Sequence, residues 1–148
     1  MKAQDITKPA VVISEDSSLA EAVQRMLTEH TNTLLVSGEN GVLVGEVSVS
    51  DLLDATIPDN LSGDDVLKQF ATEDQLVKAV RAAADRPVHE FMVRDFSTVT
   101  ADDELITIVS NAIGFQRARI AVVDHDGRPI GIISRQGLKQ ILGKYLAI

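Results

Sequence analysis

The side chains best placed by type and spacing to do chemistry are a hydroxyl and a carboxylate, Ser48 and Asp51, where a helix is expected to begin. The first backbone N–H groups of a helix lack partners, so a Ser hydroxyl there stands beside a natural site for phosphate oxygens. Asp51, one turn on, faces the same way and can accept hydrogen bonds from both hydroxyls of a ribose. The same two residues also make an ordinary N-cap and a first-turn acid that suits the helix dipole. On these residues alone the two readings stand level. A second constellation is Arg117-Ala118-Arg119, at the head of an apolar run. Guanidinium groups pair bidentately with phosphate, although solvated strand-edge charge is the commoner role of surface Arg.

Other chemistry finds little support. His30, His89 and His125 are far apart and lack metal-ligand spacing. Asp124-His125-Asp126-Gly127 looks briefly like the start of a calcium loop, but Pro129 and an apolar run follow where further ligands are needed. A turn is expected there. There is no Gly-x-Ser-x-Gly elbow and no phosphate-binding Gly-x4-Gly-Lys-Ser/Thr loop. The acid pairs Asp64-Asp65 and Asp102-Asp103 fall at helix starts, where they cap rather than catalyse. No nucleophile–base pair can be assembled, and no enzyme is expected.

Composition sets the class. Apolar residues make up 45% of 148 but aromatics only 3%, so the core must be Val, Ile, Leu and Ala. The absence of Cys excludes a disulfide framework, a thiolate metal site and a Cys nucleophile. A net charge of −8 argues against a general nucleic-acid binder, which needs a basic face to displace counterions. No apolar run approaches the roughly 20 residues that span a bilayer, and Met1-Lys2-Ala3-Gln4-Asp5 leads into no signal-peptide core. A cytoplasmic protein without a membrane partner is expected.

An internal repeat organises the chain. Shifted by 86 positions, Asp16, Leu19, Val23, Val36, Gly41, Gly45, Ser48 and Leu52 fall on Asp102, Leu105, Val109, Val122, Gly127, Gly131, Ser134 and Leu138. Each copy reads as β-α-β-β-α. A short strand (Val11–Ile13, Thr98–Val99) precedes a helix, with Ser14 or Thr100 as expected N-cap. A buried strand (Thr33–Val36, Ile120–Val123), a Gly-containing turn and a further strand (Val42–Val47, Pro129–Ile133) follow. A closing helix begins near Ser48 or Ser134. Residues 1–55 and 87–148 are therefore the repeats, and 56–86 a helical connector. Pro58 and Gly63 should break the connector. Thr72-Glu73-Asp74-Gln75 should cap its helix, which carries Leu76, Val77 and Val80 on one side.

These features resemble a known family. Gly41-Val42-Leu43-Val44-Gly45-Glu46-Val47-Ser48-Val49-Ser50-Asp51-Leu52 is similar to the closing signature of cystathionine-β-synthase (CBS) domains. Gly127-Arg128-Pro129-Ile130-Gly131-Ile132-Ile133-Ser134-Arg135-Gln136-Gly137-Leu138 is its second copy, and Pro87-Val88-His89-Glu90-Phe91-Met92 resembles the family's opening motif. The resemblance implies an α/β fold of two repeats packed sheet to sheet about a pseudo-twofold axis. It also implies two clefts that take AMP, ADP, ATP or S-adenosylmethionine as regulatory ligands, further homodimerisation, and a separate protein target. By resemblance, the first cleft uses Ser48, Asp51, Glu46 and Asn32, completed by Met92, Ser97, Arg117, Ala118 and Arg119. The second uses Ser134, Ile132 and Arg135, but Gly137 stands where Asp51 does, so a weaker, altered or empty site is expected. Glu46 departs from the usual aliphatic residue against adenine. It could accept from the adenine amine, repel phosphate or favour a cationic ligand. The alternative function is a ligand-free dimerisation scaffold, which Gly137 and Glu46 favour.

Overall fold

The computed structural model describes residues 1–57, 63–69, 72–114 and 119–148. The first repeat contains β1 (Val12–Ser14), α1 (Leu19–Glu29), β2 (Thr33–Ser37), β3 (Leu43–Ser48) and α2 (Val49–Thr56). α3 (Gly63–Gln69) and α4 (Glu73–Ala83) form the connector. The second repeat contains β4 (Thr98–Thr100), α5 (Leu105–Gly114), β5 (Ile120–Val123), β6 (Pro129–Ile133) and α6 (Arg135–Leu146). Each repeat builds a three-stranded sheet, β1-β2-β3 and β4-β5-β6, with a parallel and then an antiparallel pairing. The same register slip recurs at Val36/Ser37 and Val122/Val123.

The apolar runs of β2 and β5 are buried on both faces, and strand alternation divides their side chains between two cores. Leu34 and Val36 join Ile13, Leu19 and Met26 under the helices of the first repeat. Ile120 and Val122 join Val99, Ile108 and Ile141 under those of the second. Between them, Leu35 and Leu43 meet Ala121 and Val123, which packs the two sheets face to face. Each fully buried Leu or Ile contributes about 1.5–3 kcal/mol of hydrophobic stabilisation.

The repeats exchange their leading segments. Ala3 and Ile6, at the start of the first repeat, lie in the core of the second. Val88 and Met92 lie in the core of the first. The exchange has matching backbone bonds. Ala3 and Gln4 donate to Asp103 and Ala101, as Val88 and His89 donate to Ser17 and Glu15. Further on, Lys8 trades two 2.8 Å bonds with Ile132, and Val93 trades bonds of 2.8 and 3.0 Å with Glu46. The exchanged segments thereby cover the outer edges of β6 and β3, which would otherwise present unpaired backbone groups.

Two expected caps lie elsewhere. α1 is capped by Ser18, whose hydroxyl accepts from the Glu21 N–H at 3.1 Å. Ser14 instead accepts the Asp16 N–H, and the Thr100 N–H donates to Asp103. Each closes a turn between strand and helix, so the helices begin later than the polar residue suggested. The Thr72–Gln75 capping box is present at α4. Gly63 opens α3 rather than interrupting the chain, and Pro58 lies outside the described residues.

Gly131 shows how tightly the exchange is packed. A Cβ there would meet the Thr7 methyl and stand 2.7 Å from the Lys8 carbonyl oxygen, a backbone atom that cannot rotate away. Gly131→Ala should therefore destabilise the chain by about 1–3 kcal/mol through overpacking, measured by urea denaturation.

Candidate ligand-binding clefts

At the head of α2, the candidate pair is engaged with itself. Ser48 has extended backbone angles, and its hydroxyl accepts the Asp51 N–H at 3.3 Å. The Asp51 Oδ2 accepts the Ser48 N–H at 2.7 Å and its hydroxyl at 2.9 Å. This reciprocal capping box places the chain's own carboxylate on the helix N-terminus. Glu46 stands two residues upstream on β3, and its backbone pairs with Val93. Met92 is buried with its sulfur against Gly45. Ser97, ahead of β4, is 6% exposed, and its Oγ has no hydrogen-bond partner among the described residues. Arg117 and Ala118 lie outside the described residues.

A polar cavity of about 600 Å³ opens between the repeats. The first repeat supplies Pro9, Ala10, Val11, Arg25, Asn32 and Thr33 among its walls; the second supplies Arg119, Ile132 and Ser134. Asn32 and Arg119, expected beside Asp51, are thus gathered with Ile132 and Ser134. The antiparallel register explains this for Arg119. Ile120 pairs with Ile133, so the residue before β5 emerges beside the residue after β6. Arg135, on the first turn of α6, is exposed and is not part of this lining.

The head of α6 differs from that of α2. Ser134 is the N-cap residue but makes no side-chain cap bond, and no acid occupies the first turn. Gly137 stands where Asp51 does in the first repeat, at a tightly packed position. A Cβ there would stand 3.1 Å from the Ile6 carbonyl oxygen and 3.4 Å from an Ile133 methyl. The exchanged N-terminal segment occupies that room. Across the cavity, Thr33 is 8% exposed, and its Oγ1 has no partner among the described residues. Sequence reasoning missed Thr33, Arg25 and Pro9–Val11. Thr33 was the findable one, since the repeat offset aligns it with Arg119.

The turn His30–Asn32 also borders a second cavity, of about 590 Å³, between α1, α2 and α4. Its walls are mainly apolar and include Leu27, Leu53, Leu76 and Val80. Ser48 and Asp51 line neither of these two cavities. The Asp124–Gly127 segment is a turn, with the Asp124 carboxylate accepting the Asp126 and Arg128 N–H groups at 2.9 and 3.0 Å. The Arg128 bond is the larger cause holding the Asp124 carboxyl below its ordinary value. Among the described residues, no three His, Asp or Glu side chains gather as a metal site, and no helix is long and apolar enough to cross a membrane.

Two intertwined β-α-β-β-α repeats with a polar crevice at their seam define a tandem-repeat, cleft-forming α/β module. The CBS domain family matches residues 3–58 and 88–144, and the chain belongs to that family. Solved structures share the fold. A CBS domain-containing protein of unknown function from Kribbella flavida has a TM-score of 0.79 at 19% identity, over 96% of this chain and 98% of that one. CBSX2, a CBS-pair protein from Arabidopsis thaliana, was solved in complex with AMP. That complex has a TM-score of 0.70 at 22% identity, over 97% of each chain. The CBS domain pair of MJ0100, in complex with 5′-methylthioadenosine and S-adenosyl-L-methionine, scores 0.69 at 19% identity, over 97% of this chain and all of that one.

The unequal helix heads generate a stability contrast. Ser48→Ala should cost about 1 kcal/mol by removing a made cap. Ser134→Ala, which removes no cap bond, should leave the urea midpoint nearly unchanged.

Proposed function

We propose that the chain is a non-catalytic regulatory module that binds an adenosine-type ligand between its repeats. One observation carries this reading: the polar cavity walled by both repeats, with two arginines on its lining and beside them the buried Thr33 hydroxyl, which has no partner among the described residues. A ligand there bridges the halves and favours whichever arrangement of them it fits best; differential affinity is what lets binding act as a signal. The AMP, 5′-methylthioadenosine and S-adenosylmethionine held by two proteins of the same fold support this ligand class.

The second reading, an interaction scaffold, draws on the helices. Leu27 on α1 and Ile113 on α5 are 71% and 72% exposed, and Leu142, Tyr145 and Leu146 are exposed on α6. Apolar side chains at this density on outer helices suit a homodimer.

Two measurements separate the readings. A thermal-shift series with AMP, ADP, ATP and S-adenosylmethionine should raise the melting temperature with at least one of them. Saturation to about 100 times Kd adds about 2.7 kcal/mol to the native state. If none shifts the transition, the ligand reading fails. Light scattering on a size-exclusion column should give a dimer that Ile113→Glu converts to monomer. A wild-type monomer at tens of micromolar would remove the scaffold reading.

A further inference from the structure

We infer that Arg128 is a tie across the seam, standing in for a backbone bond that Pro129 cannot make, and that the two sheets pivot about the turns it joins. The device belongs to the folded chain and needs no ligand, so it goes beyond the adenosine reading.

The hairpin turns of the two repeats carry the same backbone bonds at the 86-residue offset. The Gly38 N–H donates to the Val42 carbonyl at 2.8 Å, as that of Asp124 donates to Arg128 at 2.9 Å. Gly41 donates to Gly38 at 3.2 Å, as Gly127 donates to Asp124 at 3.1 Å. One bond breaks the match. The Leu43 N–H crosses the seam to the Gly127 carbonyl at 2.9 Å. Its counterpart would run from residue 129 to the Gly41 carbonyl, but residue 129 is Pro and has no N–H. Beside that place the Arg128 Nε donates to the Asn40 carbonyl at 2.8 Å. The Arg128 stem lies over Gly41, where an added Cβ would stand 3.9 Å from Cγ, Cδ and Nε. Val42, the residue that matches Arg128, lies over Gly127 in the same way, its Cγ1 3.5 Å from such a Cβ, and has no side-chain donor to offer. The main chain thus completes the clasp on one side and a side chain completes it on the other.

This difference has a mechanical consequence. A backbone bond holds two main chains at one spacing, whereas a long, exposed Arg side chain keeps its bond while the chains beneath it shift. The tie sits at one end of the strands, since the turns follow Ser37 of β2 and precede Pro129 of β6. The polar cavity sits at the other end, against Thr33 of β2 and Ser134 beyond β6. There residues 9–11 pass between the repeats as part of the cavity wall. Rotation about the joined turns therefore changes the width of the cavity while the pairings within each sheet stay intact. A few residues at element ends suffice to absorb such a motion. Arg128 is not part of the cavity lining, so it is a positioning residue that sets the spacing of the walls from the far end.

Amide hydrogen exchange on the ligand-free full chain tests the tie as a double-mutant cycle. Arg128→Ala should speed exchange of the Leu43 amide about three- to tenfold, as the loss of one hydrogen bond implies. In the Pro129→Val background, where an N–H is restored, the same change should have an effect of less than about twofold. The amide gained at position 129 should itself be protected. Because the chain has no Cys, spin labels introduced through Glu29→Cys and Arg135→Cys, both exposed positions, report on the cavity end. Their distance distribution should broaden with Arg128→Ala and narrow again when Pro129→Val is added. Equal effects of Arg128→Ala in the two backgrounds, or an unprotected amide at position 129, overturn the stand-in role. A label distance that stays unchanged while Leu43 loses protection overturns the pivot.

Discussion

The structure depends on the exchange of leading segments between the repeats. Neither half closes its own core: the first takes in Val88 and Met92 from the start of the second, and the second takes in Ala3 and Ile6 from the start of the first. The paired bonds of Lys8 with Ile132 and of Val93 with Glu46 seal the sheet edges that each half leaves open. Because the covering strand always comes from the other repeat, the two sheets are held face to face and a seam must run between them. The polar cleft is a consequence of that seam.

The exchange also breaks the symmetry of a duplicated chain. The helical bodies superpose at an offset of 86 in sequence, but the exchanged backbones pair residues 85 apart, 3 with 88 and 8 with 93 in role. Met92 therefore faces Gly45 where Thr7 faces Gly131. Around α6 the N-terminal segment packs close to Gly137, where an added Cβ would stand 3.1 Å from the Ile6 carbonyl oxygen. One helix head thus carries Gly137 at the position where its counterpart keeps Asp51. Packing at the seam and charge in the cleft are linked through one glycine.

How much of this was legible follows from how local each signal is. The repeat, the doubly buried strands β2 and β5 and the Thr72 cap are written in short runs of residues, and periodicity reads them. Ser14 and Thr100 misled because a polar residue after a strand can close a turn as readily as cap a helix. The side of the seam on which Arg119 emerges is set by the pairing of Ile120 with Ile133, a tertiary fact that spacing does not encode. The destination of Ala3 and Ile6 is equally non-local. For Ser48 and Asp51 the sequence supports a cap and a ligand site alike, since the same two groups at the same spacing can bond each other or a guest.

The most direct measurement is the position of the phosphorus atom in crystals of the full chain grown with AMP. The account places it at the seam between the repeats, in the cavity walled by Arg25 and Asn32 of the first and Arg119 and Ser134 of the second. Crystals grown at saturating AMP that hold no nucleotide at the seam, or hold it only on an outer helical face, would contradict it.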